Sequence, residues 1–211
     1  MSDDLSSGLL TGRWTLDAAH STVRFARKGL WGLITVTGTF GEIAGHADVL
    51  ADGTARGTLT VGAGSLDTGN ARRDRHLRSD DFFGVAVHPK ILFAAERIAP
   101  EGDAGQVRVS GELTVTGVTR PLTFTARATE TAPDGVTLTA EPEIDPAAHG
   151  MTWNLARMMR GPARLALTLR FVHTPAAASE TSGAADTTKA PDAAAASETS
   201  GAADTTKAPD A

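Results

Sequence analysis

Cysteine is absent from all 211 residues, which excludes disulfide frameworks, thiolate nucleophiles and cysteine-containing zinc sites. Long apolar runs are missing too. Nothing approaches the roughly 18 residues needed to span a bilayer, and the acidic start MSDDLSSGLLTGRW has neither the basic beginning nor the apolar stretch of a secretory signal. The expectation is a cytoplasmic protein without stable membrane insertion. The six histidines show no HxH or HExxH spacing, so no metal site is expected. No GxSxG turn marks a strained nucleophile. Aromatic residues make up only 5% of the chain.

Apolar residues are also absent where the chain repeats itself. Residues 176–193 read AAASETSGAADTTKAPDA and residues 194–211 repeat them letter for letter, without an aromatic, Leu, Ile or Val. Ordering each residue costs about 1–2 kcal/mol of backbone entropy, and this mixture has no burial to offset it. A disordered tail is therefore expected over 175–211, with a flexible N-terminus over 1–11 and one domain over 12–174. The tail's six carboxylates and two lysines contribute −4 of the net charge of −5, leaving −1 for the first 175 residues. Without a basic excess, nucleic acid is not the expected partner.

What is present is two-residue alternation, the period of a strand with one dry face. Leu165, Leu167, Leu169 and Phe171 oppose Arg164, Ala166, Thr168 and Arg170. Val107, Val109, Leu113 and Val115 share one face of another segment, and Leu122, Phe124, Ala126 and Ala128 share one of a third. Val23 with Phe25, Ile34 with Val36 and Phe40, Leu59 with Val61, and Ile91 with Phe93 extend the series. Gly, Asp, Asn and Pro clusters punctuate it, as at Asp52-Gly53 and Pro133-Asp134-Gly135. About eight strands result. The exceptions are Asn70 to Phe83, read as helical with Asn70 as its cap, and a turn at Leu30 to Gly32. Periodicity admits a barrel or a sandwich, and the small inward side chains admit either an underfilled barrel or a packed core.

The residues resemble the YceI family of lipocalin-like, polyisoprenoid-binding proteins. The resemblance rests on Trp14-Thr-Leu-Asp17-Ala-Ala-His20-Ser21-Thr-Val23-Arg-Phe25, on Gly38-Thr-Phe40, on the run Leu66 to Phe83, on His88-Pro89, on Gly111 to Leu122, and on Gly150-Met151-Thr-Trp153-Asn154. It implies an all-β fold: an extended eight-stranded antiparallel barrel with a short helical flap. The barrel would enclose a tunnel for a long-chain isoprenoid lipid, such as a prenyl quinone or polyprenyl phosphate, with no catalysis and no required cofactor. Arg27 and Gly29 depart from the family pattern, where an apolar residue and a His are usual, and Gly84 stands where Asp often follows the paired Phe.

The expected ligand wall is Val23, Phe25, Ile34, Val36, Phe40, Phe93, Leu113, Val115, Phe124, Leu165, Leu167 and Leu169, with Trp31, Phe82, Phe83 and Trp153 near the tunnel mouth. A hydrocarbon offers nothing polar to recognise and is held by burial, at about 0.8 kcal/mol per CH₂. Headgroup candidates are Arg72, Arg73, His76 and Arg78 on the helical segment, and His20. Asp17, His20 and Ser21, like Asp74, His76 and Ser79, place triad residue types close in sequence, although such groups commonly cap turns. The reading is a carrier or sequestering protein. Its alternatives are an enzyme of isoprenoid or lipid metabolism using His20 or His76, and a stress-related interaction protein with a filled barrel. Exposed sheet edges are compatible with a homodimer. Deleting residues 176–211 is expected to move the melting temperature by no more than about 2 °C; a large drop in a thermal scan would refute the disordered-tail reading.

Overall fold

The computed structural model describes residues 9–29, 34–102, 105–151 and 161–175. The tail, the turn at 30–32, Trp31 and Trp153 lie outside the described residues. Twelve strand segments form one antiparallel sheet: β1 (Gly12–Leu16), β2 (Thr22–Gly29), β3 (Ile34–Phe40), β4 (Ile43–Val49), β5 (Ala55–Gly62), β6 (Leu66–Asp67), β7 (Lys90–Pro100), β8 (Gln106–Val115), β9 (Val118–Ala132), β10 (Gly135–Ala140), β11 (Glu143–Ile144) and β12 (Ala163–His173).

These segments make eight long strands, because four of the eight are broken in two. β1 and β2 lie end to end along β12, β10 and β11 both pair with its other edge, and β3 and β4 face β2 and β1 in turn. β5 and β6 continue the order against β4 and β3. Each long strand pairs with the next in sequence, and β1 returns to β12 through Trp14↔His173, Thr15↔Val172 and Leu16↔Phe171. The sheet is thus a closed up-and-down barrel with its backbone edges paired away.

Three of the four breaks form a crease across neighbouring strands, and polar side chains satisfy the backbone that the ladder loses there. Asp17 caps a short 3-10 turn at Ala18–His20 by accepting from the Ala19 amide. Ser21 donates to the Asp17 carbonyl at 2.7 Å and accepts from the Arg170 amide at 2.9 Å, which fastens the crease to β12. On the next break, Ser65 Oγ accepts from the Glu42 amide and donates to the Gly62 carbonyl.

Close approach of strands explains two inward glycines. A Cβ on Gly111 would collide with the Ala94 carbonyl, and one on Gly38 would enter the Phe25 ring at 2.5 Å. At the β8–β9 hairpin, Thr116 and Gly117 both take positive φ, 51° and 76°, as a two-residue turn matched to strand twist requires.

The helix is shorter than the sequence reading. α1 spans Ala71–Arg78, and residues 79–88 run in turns. Asn70 caps it as expected, accepting from the Arg72 and Arg73 amides at 3.1 and 3.0 Å. At the other end Ser79 turns its amide and hydroxyl back to the His76 carbonyl, and Asp80 and Asp81 follow at the end where the helix dipole disfavours negative charge. Residues 9–11, read as flexible, are engaged: Leu9 packs on the core, and the Leu10 carbonyl accepts from Trp14 Nε1 at 2.9 Å.

One end of the barrel is solid. Trp14, 1% exposed, sits edge-on to His173 with centroids 5.4 Å apart and shares a core with Leu16, Val107, Val136 and Phe171. Removing its ring by Trp14→Ala is expected to cost about 3–5 kcal/mol in urea unfolding. A loss below about 1 kcal/mol would show that this end is not a packed plug.

Candidate functional site

Above the plug, the inner faces of the strands do not meet. They enclose a cavity of about 220 Å³, measured as the space open to centres of water-sized spheres. One water needs about 10–15 Å³ by that measure, so the void exceeds any ordinary packing defect. The filled-barrel alternative requires this space to be occupied by side chains, and the described residues leave it open.

Strand alternation supplies the wall. From β2 come Val23, Phe25 and Arg27, from β3 Val36 and Phe40, from β7 Ile91, Phe93 and Ala95, and from β8 Val109, Leu113 and Val115. Leu122, Phe124 and Ala126 of β9, Leu138 and Ala140 of β10, and Ala163, Leu165, Leu167, Leu169 and Phe171 of β12 complete most of it. Phe93 and Phe124 point inward yet are only partly buried, in contact at 5.7 Å between centroids. An inward ring that is not fully covered is what a hollow interior produces.

The segment after β6 covers part of the wall. Leu77, Phe82 and Phe83 line the cavity from α1 and its following turns, and Phe83 meets Phe40 at 6.1 Å, which in turn meets Phe25 at 5.8 Å. Asp74, 6% exposed, locks α1 down by accepting from the Thr68 amide at 3.1 Å and from its hydroxyl at 2.5 Å. On the opposite side, a 3-10 turn at Pro146–His149 docks on the β8–β9 hairpin. His149 Nδ1 lies 3.0 Å from the Val118 carbonyl, and the Thr116 hydroxyl donates to the His149 carbonyl. Pro142, Ile144, Pro146 and Met151 extend the apolar wall from here.

Of the sixteen residues expected at the wall, thirteen line the cavity, from Val23 through Leu169 and including Phe82 and Phe83. Ile34 does not, standing at the hairpin end of β3 with 46% exposure. Trp31 and Trp153 are outside the described residues. The five headgroup candidates are all off the cavity. Arg73 donates to the Thr68 hydroxyl and carbonyl at 2.8 and 2.9 Å, and Arg78 donates to the Leu66 carbonyl, so both brace the flap. Arg72, Arg73 and His76 share an open depression with Asn70, and His76 Nε2 lies 3.3 Å from Asp81. His20 is on the outer crease, its Nδ1 2.7 Å from Asp17 Oδ2. That contact holds the Asp17 carboxyl below the usual carboxylate range.

The sequence groupings of triad type do not converge. Ser21 is bonded to the Asp17 carbonyl and the Arg170 amide, and Ser79 to the His76 carbonyl. Neither hydroxyl has a histidine ring as its hydrogen-bond acceptor.

Among the lining residues outside the expected wall, Arg27 is the charged one; the sequence marked it only as a departure from the family pattern. It follows Val23 and Phe25 at the strand period and faces Val36 across the β2–β3 pair, so alternation carries a guanidinium into an apolar bore. His46 also borders the cavity, but it lies on the opposite face of β4 from Ala47, bonded to Thr58 at 3.2 Å.

The family model for the YceI-like domain matches residues 14–171. A UPF0312 protein from Shewanella denitrificans is 35% identical over 112 residues, covering 51% of this chain and 56% of that protein. Protein YceI from Salmonella arizonae is 34% identical over 113 residues, covering 53% and 58%. The chain thus spans somewhat over half the length of these relatives. Among solved structures, BcnA from Burkholderia cenocepacia superposes with a TM-score of 0.67 at 19% identity, over 74% of this chain and 98% of that one. A polyisoprenoid binding domain from Saccharophagus degradans superposes with a TM-score of 0.62 at 17% identity, over 76% and 98%. At these identities the two structures establish a shared fold.

If the bore is hollow, enlarging a small wall residue adds apolar contact without strain. Ala126→Leu and Ala140→Leu are each expected to leave unfolding free energy unchanged or raised, measured by denaturant titration. A loss of about 1–3 kcal/mol in both, the usual cost of overpacking, would mean the interior is already full.

Proposed function

We propose that this chain, which belongs to the family of YceI-like domains, binds a long apolar isoprenoid chain inside its barrel and carries or sequesters it. The observation that carries the reading is the unfilled apolar bore. A closed barrel gains stability from a solid interior, so a protein that leaves one empty forgoes dispersion contacts that a guest would restore. The wall fits that guest: branched and aromatic side chains with almost no hydrogen-bonding groups suit a hydrocarbon and disfavour sugars, nucleotides and peptides.

The neighbour from Saccharophagus degradans supports the choice of an isoprenoid, since it is a polyisoprenoid binding domain of the same fold. Thirteen of the expected residues, led by Phe25, Phe40, Phe93, Phe124 and Leu167, act as the wall. Leu77, Phe82 and Phe83 serve as the movable cover, because the flap joins the barrel through few strand hydrogen bonds and can part from it at less cost than a ladder strand. Binding without chemistry accounts for the histidines at 20 and 76 lying outside the bore.

The test uses the full chain, stripped of lipid and titrated with a C20 prenyl alcohol and with a prenyl quinone, followed by native mass spectrometry and fluorescence of the tryptophans. Saturable one-to-one retention of a prenyl chain is expected. Absence of any retained long chain, in a sample whose thermal transition remains cooperative, would overturn the proposal.

A further inference from the structure

We infer that the chain held in this barrel ends in an oxyanion, a carboxylate or a phosphate, and that Arg27 is the residue that meets it. The inference rests on the proposed function and specifies the ligand's polar end.

Three observations converge on Arg27. Its place in β2 turns it to the cavity face with Val23 and Phe25, next to the β2–β3 hairpin end of the barrel. Its Nε is buried and has no hydrogen-bond partner. Asp145, the carboxylate that acts on it, forms no ion pair with it among the described residues, and one of its oxygens is already engaged with the Ala147 amide at 3.0 Å. Burial holds the Arg27 guanidinium below its ordinary value, and Asp145 opposes that shift.

Other arginines of the barrel are placed differently. Arg13 pairs with Asp48, Arg108 with Glu101 and Arg164 with Glu143, all on the outer surface. Arg78 also has a buried, unpartnered Nε, but its Nη2 is spent on the Leu66 carbonyl and it does not border the bore. Arg27 alone among the described arginines lines the cavity.

A half-buried guanidinium beside apolar rings, with no ion-paired carboxylate among the described residues, carries an unmet desolvation cost. The planar fork of donors matches a carboxylate or phosphate and forms charge-assisted bonds with it. A quinone carbonyl would accept a hydrogen bond but bring no counter-charge, leaving the positive charge uncompensated. The long axis of the ligand then follows from the fold: polar end at Arg27, hydrocarbon directed down the bore toward the plug at Trp14.

The experiment compares matched pairs on the delipidated full chain by calorimetric titration: geranylgeranyl phosphate against geranylgeraniol, and palmitate against hexadecanol. Wild type is expected to prefer the anion of at least one pair by about ten- to a hundredfold, the range of a hydrogen bond to a charged group. Which pair shows the preference identifies the phosphate or the carboxylate. Arg27→Met, which keeps the apolar stem, is expected to bind the alcohols as wild type does and to lose the preference, and Arg27→Lys to retain part of it. An undiminished preference in Arg27→Met, or equal affinity for anion and alcohol in wild type, would overturn the inference while alcohol binding left the barrel reading intact. Failure of every chain to bind would overturn both. The melting temperature of ligand-free Arg27→Met is expected to equal or exceed that of wild type; a marked fall would assign Arg27 a structural role and overturn the inference.

Discussion

The side chains on the inner faces of eight closed strands are too small to meet, and the remaining features of the molecule follow from that mismatch. Closure fixes the bore, because once β1 has paired with β12 the ring can no longer flatten to bring its faces together. The inner positions are then occupied by Ala95, Ala126, Ala140 and several valines and leucines, with Gly38 and Gly111 where neighbouring backbone or rings come closest. At the Trp14 end a large buried residue fills the cross-section.

The buried cluster of wall and plug residues is therefore helped by features outside it. The ladder is continuous around the ring, the crease is bridged by Asp17, Ser21 and Ser65, and the plug gathers the largest buried side chain. The flap is held through polar contacts, with Asp74, Arg73 and Arg78 gripping Thr68 and Leu66. The wall itself is partly core, since Val23, Phe40, Val109, Ala126 and Leu167 belong to the buried cluster, but the space they border is left for a guest. The grip on the flap also explains why the charged cluster on α1 looked functional in the sequence: two of its arginines are braces, and their charge is spent on backbone carbonyls.

Much of the barrel was legible because alternation is a direct record of which face is dry. β8, β9 and β12 announce themselves through Val107 to Val115, Leu122 to Ala128 and Leu165 to Phe171. β4 and β10 were quieter, since their apolar faces are built partly of small residues, Ile43, Gly45, Ala47 and Val49 in one and Val136, Leu138 and Ala140 in the other. The helix start was readable from Asn70, whereas its end depended on Ser79 competing for the His76 carbonyl. Whether the interior was hollow could not be read locally, because it depends on side-chain volumes summed around a closed ring. Arg27 was readable in principle, since counting by twos from Val23 reaches it, but a charge at an inward position runs against the apolar pattern that marks a dry face.

The central claim is that the bore is an empty apolar space that a long chain enters. Its most direct test is electron density for protein purified from its own cells without delipidation. The account predicts an elongated feature along the barrel axis, flanked by Phe25, Phe93, Phe124 and Leu167 and stopping short of Trp14. Density showing Phe25 and Leu167 packed against Phe93 and Phe124 across a closed interior, with no space between the two sides, would contradict it.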